Sequence, residues 1–174
     1  YAAFVALDLV PGTDRDALRR LFTVWTDDIE RFTSGRGPLT DLESELAQVP
    51  AGLTVTVAVG PQVVTLAGKD RPSWLAPLPA YPIDRLDPHW GEADLLLQIC
   101  AASQNTVSHV QRRLLRAVEP LATLRWVQRG FREPFEGPGV PMRNLFGQVD
   151  GTVQPATDGT EDRLLFVDPA RGPA

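Results

Sequence analysis

The run from Pro141 to Pro155 (PMRNLFGQVDGTVQP) holds the only pattern in this chain that looks like chemistry rather than packing. Two glycines bracket a carboxylate in Gly147-Gln148-Val149-Asp150-Gly151. Glycine lets a backbone turn sharply and come close to a flat or bulky group, and Asp150 stands at the tip of such a turn. An Asp-Gly turn joining two loops has the same short signature, so these five residues alone leave both readings open.

Few other side chains compete for a chemical role. Cys100 is the only cysteine, which excludes an internal disulfide and a CxxC metal site. Its place in the apolar run Leu95 to Cys100 predicts a buried, inert thiol. His89 lies in a proline-rich stretch just before Trp90, and His109 lies near the start of a helical stretch. Both read as structural or surface residues, and no set of metal ligands emerges. Trp25, Trp74, Trp90, Trp126, Tyr1 and Tyr81 raise the question of electron transfer from bulky donors, with packing as the default role of each.

The longer run Asn144-Leu145-Phe146-Gly147-Gln148-Val149-Asp150-Gly151-Thr152, followed by Pro155, resembles the GxxDG signature of dye-decolorizing peroxidases. It matches the Asn-Leu-x-Gly-x-x-Asp-Gly-Thr form of that motif. The resemblance implies a haem b enzyme that reduces hydrogen peroxide and oxidises dyes or phenolic donors. Asp150 would be its distal acid/base, and Asp150, Gly151, Thr152 and Val153 would contact the haem. Asn144 would either bond water in the distal pocket or brace the loop, and Gly147 is a turn requirement. Arg143 would reach a propionate or lie exposed.

The same resemblance defines what is missing. In that family the iron-ligating histidine and a distal arginine lie in a second half, and neither His89 nor His109 matches the ligand position. The expected partner is therefore the C-terminal half, on the same chain or a separate one, with room for a homo-oligomer. The phrase Leu78 to Asp87 (LPAYPIDRLD) resembles the secreted A-type members, which implies a secreted or extracytoplasmic site reached by the twin-arginine route. Two other readings stay open: a haem-free ferredoxin-like interaction module, and a relative acting in haem handling or iron uptake.

Composition sets outer bounds. The 174 residues can bury one core, and 43% apolar with 22% charged residues is ordinary for a globular domain. A net charge of −5 argues against nucleic acid or an anionic membrane as partner, since like charges repel. No membrane-spanning apolar stretch and no signal peptide is visible. The start at Tyr1, without Met and already in an apolar run, suggests a processed or truncated beginning.

The elements that must position the motif follow from periodicity. Ala3 to Val10 predicts a mostly buried strand, stopped by Pro11-Gly12. Thr13 and Asp16 resemble a capping box, and Leu18, Leu21, Phe22, Trp25, Ile29 and Phe32 then share one helical face until Ser34-Gly35. A short helix is expected around Leu39 to Ala47, and Leu53 to Val59 alternates as a strand. Gln62 to Ala67 predicts a short helix after Pro61, within a proline-rich surface excursion that continues to Pro88.

Asp94 to Ala101 predicts a central strand. A second helix then opens at Asn105 with Val107, Val110, Leu114, Val118 and Leu121 on one face. Thr123 to Arg129 predicts a fourth strand, with Leu124 and Trp126 sharing a side. Pro134 to Pro141 reads as a Gly/Pro linker, and Arg163 to Asp168 as the start of a connection to the missing half. The order predicts an α+β, ferredoxin-like (βαββαβ) domain: a four-stranded antiparallel sheet with its helices on one face, spanning 1–133, with 134–174 as linker and distal loop. By the resemblance this is the first half of a dimeric α/β-barrel-like enzyme.

Overall fold

Alternating apolar side chains in Ala2–Leu9 form strand β1, whose Ala3, Val5, Leu7 and Leu9 point into the core of the computed structural model. The structure describes residues 1–132 and 142–149. They belong to two compact units, Tyr1–Phe131 and the residues from Arg132 onward, and each is described by itself. The linker Pro134 to Pro141, the residues Asp150, Gly151, Thr152 and Val153, and the run Arg163 to Asp168 lie outside the described residues.

Helix α1 spans Arg15–Thr33 and buries Leu18, Leu21, Trp25 and Phe32, four positions on the stripe that the spacing predicts. Fully burying side chains of this size contributes roughly 1.5–3 kcal/mol each. Trp25 also donates its indole N–H to the carbonyl of Leu114 at 3.0 Å, so its one polar atom is satisfied inside the core. The start of α1 corrects the capping-box expectation. Asp14 is the N-cap, accepting the amide of Ala17 at 2.7 Å, while the Thr13 hydroxyl donates back to Val10.

A 3-10 turn at Ser44–Ala47 replaces the short helix expected around Leu39 to Ala47. Strand β2 (Thr54–Val59) and helix α2 (Pro61–Leu66) follow, the latter with Pro61 in its first turn, where a missing N–H costs nothing. After the proline-rich excursion, which adds an unanticipated 3-10 turn at Pro88–Trp90, come β3 (Leu95–Cys100), α3 (Gln104–Val118) and β4 (Ala122–Gly130). Ser103, rather than Asn105, opens α3 by accepting the amide of Thr106.

The strands pair antiparallel in the order β2-β3-β1-β4. This is the ferredoxin-like α+β arrangement, with β1 and β3 central. Helices α1 and α3 cover one face: Leu21, Trp25, Val110, Leu114 and Val118 meet Val5, Leu7, Leu97 and Ile99 in one apolar cluster. The opposite face carries no helix of this unit. Across it run the rows Thr54-Cys100-Ala2-Gly130, Thr56-Gln98-Phe4-Gln128 and Ala58-Leu96-Ala6-Trp126.

Two expectations change on this open face. Cys100 is half-buried there rather than enclosed in the core, because the side chains of β3 alternate and Cys100 falls on the face without helices. In β4 a bulge opposite Ala6 and Leu7 skips Arg125, so Trp126 pairs with Ala6 while Leu124 pairs with Leu7. Leu124 and Trp126 therefore look in opposite directions, not to one side. Among the described residues, no helix is long and apolar enough to cross a membrane.

Candidate functional site

The described part of the Pro141 to Pro155 motif is a tight hairpin that ends one residue short of Asp150. Arg143 and Val149 pair as an antiparallel bridge, and between them the amide of Gly147 donates to the carbonyl of Asn144 at 2.9 Å. Gly147 sits at φ 81°, with nothing within 4 Å of where a side chain would begin. Glycine is thus required by the backbone conformation and not by crowding.

Asn144 organises this turn. Its Oδ1 accepts the amides of Phe146 at 3.0 Å and Gln148 at 3.1 Å, and its Nδ2 donates to the Gln148 side chain at 3.2 Å. Its backbone N–H donates to the carbonyl of Gln148 at 2.9 Å. One side chain therefore satisfies amides that the hairpin cannot pair for itself. Arg143 donates to the carbonyl of Gly147 at 2.7 Å, which ties it to the loop. At the tip, Leu145 and Phe146 are 88% and 92% exposed, so the hairpin displays two large apolar side chains.

In the other unit, the open sheet face ends in a groove of about 280 Å³ lined by Ala6, Ala58, Leu96, Leu75, Gly91 and Trp126, among others. The indole of Trp126 donates to the carbonyl of Gly91 at 3.2 Å and lies 6.1 Å from the exposed ring of Trp90. Arg125 fixes the same corner, reaching Asp8 at 3.3 Å and the carbonyl of Pro88 at 2.7 Å. Trp74 and Tyr81 are exposed on the excursion, and Trp25 is buried. The groove is apolar enough to shield a flat hydrophobic group, but its lining includes no histidine, cysteine, methionine or tyrosine to ligate an iron.

His109 is fully buried on the helical side of the sheet. Its ring meets Phe32 edge-on at 5.4 Å, and its Nε2 lies 3.0 Å from Oδ2 of Asp41. The guanidinium of Arg113 approaches the same carboxylate at 3.5 Å, and Arg112 bonds Glu43 at 2.8 Å. That bond holds the Glu43 carboxyl below its usual range. Asp41, Glu43 and His109 come close enough to suggest a cation site, yet both carboxylates already face arginines. The cluster instead clamps the loop around Asp41 onto α3. Sequence reasoning missed it, because Asp41 and His109 are 68 positions apart and neither stands in a motif.

The family of this polypeptide follows from comparison with known proteins. Residues 1–132 match the family model described as Dyp-type peroxidase, N-terminal. The chain belongs to the DyP-type peroxidase family. It is 32% identical to a dye-decolorizing peroxidase from Thermobifida fusca (strain YX), covering 100% of this chain and 44% of the relative. It is 34% identical to a deferrochelatase from Yersinia pestis bv. Antiqua (strain Nepal516), covering 87% of this chain and 38% of the relative.

Among solved structures, a DyP-type peroxidase from Cellulomonas bogoriensis superposes with a TM-score of 0.85 at 50% identity, over 92% of this chain and 46% of that one. DyP-type peroxidases are haem enzymes, and this chain spans less than half the length of these relatives.

Proposed function

We propose that this chain is the N-terminal half of a haem-dependent dye-decolorizing peroxidase, with Asp150 as its distal acid/base and the C-terminal half as its partner. The observation that carries the reading is the braced hairpin Arg143 to Val149 leading directly into Asp150, in a chain whose residues 1–132 match the family. Haem b would supply the iron at which the peroxide O–O bond is broken, held by a histidine of the other half. Asp150 accepts the proton of the attacking peroxide oxygen and delivers it to the departing oxygen, which leaves as water. Gly151, Thr152 and Val153 would approach the macrocycle through their main chain.

Asn144 acts in this reading as a positioning residue. It fixes the turn that runs into Val149, the residue before Asp150 in the chain. The oxidised enzyme would then take electrons from dyes or phenolic donors, at a secreted or extracytoplasmic site. A carboxylate titrates near roughly 4 and imidazole near roughly 6.5, so an ordinary aspartate base is still half or more ionised at about pH 4 to 5, where a histidine is already charged.

The test is co-expression of this chain with a C-terminal half, followed by stopped-flow mixing with peroxide while the haem absorbance is watched. Asp150→Asn should slow the reaction by roughly 100-fold or more, the usual contribution of a positioned acid/base. An unchanged rate across about pH 4 to 5 would remove Asp150 from this role. The deferrochelatase relatives support a second reading, haem handling in iron uptake. Iron-free porphyrin accumulating from added haem, without peroxide-dependent dye bleaching, would favour it. Absence of any haem absorption band in the joined halves would leave only a haem-free interaction module.

A further inference from the structure

Within the ferredoxin-like unit, and distinct from the groove on the open sheet face, a cleft of about 590 Å³ lies between the first turns of α1 and the end of α2. Leu18, Phe22, Val63 and Ala67 give it an apolar wall, with Leu18 and Val63 themselves buried. Arg15, Arg19 and Lys69 supply its charge. Asp16 is the one carboxylate in the lining, and it is engaged by Arg19 at 3.5 Å. A chain of net charge −5, with a single lysine, thus concentrates positive charge around one apolar hollow.

The lysine is held there by backbone geometry. At the end of α2 the amide of Ala67 donates to Val63, that of Gly68 to Thr65, and that of Lys69 to Val64 at 3.2 Å. Gly68 takes φ 72°, which turns the chain back at the helix end and sets Lys69 at the cleft. The positive end of the α1 dipole is already met by Asp14 and Asp16, so the charge offered to a ligand comes from the side chains of Arg15 and Lys69. Small-molecule sites commonly enclose about 300–1,000 Å³, mostly apolar with a few placed polar groups, and this cleft has that size and composition.

We propose that the cleft binds a small amphipathic anion: an aromatic or aliphatic body carrying one carboxylate or sulfonate. The body lies against Leu18, Phe22 and Val63, and the anion is met by Arg15 and Lys69. This inference does not depend on haem, on the second half, or on the role of Asp150.

The experiment is a fluorescence titration of the 174-residue chain with 1-anilinonaphthalene-8-sulfonate and with its uncharged counterpart N-phenyl-1-naphthylamine, at low and at high salt. The sulfonate should bind about tenfold more tightly at low salt, the worth of one charge-assisted hydrogen bond, and lose that advantage at high salt. Arg15→Glu/Lys69→Glu should weaken the sulfonate by about tenfold or more and leave the amine unchanged. Equal binding of the two probes, or undiminished sulfonate binding by the double variant, overturns the proposal. Lys69→Gln, a milder change at an exposed position, should give a smaller loss in the same direction, and no loss overturns it equally. Ala58→Glu in the open-face groove should leave sulfonate binding intact, whereas a loss there would locate the probe on the sheet and refute the assignment.

Discussion

Replacing Asn144 with alanine removes the group that holds the motif hairpin together, and the structure sets the size of the effect. Two amides, those of Phe146 and Gln148, lose the Oδ1 they donate to at 3.0 and 3.1 Å. Both lie in exposed backbone, so water can replace the lost acceptor, and each bond is worth only about 0.5–1 kcal/mol. The loop should therefore open more easily by about 1–2 kcal/mol, a factor of about 5–30 in its open population.

Amide hydrogen exchange measured residue by residue is the assay. Phe146 and Gln148 should exchange about 5–30-fold faster in Asn144→Ala. Amides of β1 and β3 should be unaffected, because they belong to the other compact unit. Asn144→Asp keeps the accepting oxygen, strengthens it with charge, and loses only the Nδ2 bond to Gln148. It should retain most of the protection. Unchanged exchange in the alanine variant, or equal loss in the aspartate variant, would refute the claim that Oδ1 is the brace. In the completed enzyme the same pair of variants should order peroxide activation alike, aspartate above alanine.

Three further outcomes follow from the helical layer. The Asp28 carboxyl is raised above its ordinary range, first by burial and then by its neighbour Asp27, with Arg113 and Arg31 opposing. A raised carboxyl binds its proton more readily in the folded state, so its ionised form weakens the fold at neutral pH and the penalty disappears as pH falls through the raised value. Asp28→Asn should thus raise the thermal midpoint at pH 7 but confer no gain at about pH 3, below the unfolded carboxylate range. Asp41→Ala should destabilise the ferredoxin-like unit by about 3 kcal/mol, because it leaves the buried His109 without its partner and takes from the half-buried Arg113 the carboxylate it faces, and urea midpoints would report it. Leu114→Ala should cost about 2–5 kcal/mol by the same measurement, since Leu114 is fully enclosed beneath α1.

Most of the fold was legible because its signals are local. The stripe Leu18 to Phe32, the alternation of Leu53 to Val59, and the stop signals at Pro11-Gly12 and Gly60-Pro61 each arise within one stretch of chain. The motif was legible for the same reason, and the structure adds the purpose of Asn144 within it. Asp150 itself lies beyond the described residues.

Amino-acid order by itself determined the four strands, the two long helices, their sequence along the chain and the identity of the hairpin loop, since helix and strand periods are properties of neighbouring residues, whereas the 3-10 turns and the exact caps were not read from it. Tertiary structure alone decided which way Trp126 faces, on which side Cys100 emerges, that Asp41 reaches His109, and that Lys69 borders a cleft beside Arg15. The physical reason is distance. A bulge in one pairing register turns a strand's side chains over, and the loop at Asp41 meets a helix 68 positions further along the chain. No short window of sequence carries either event.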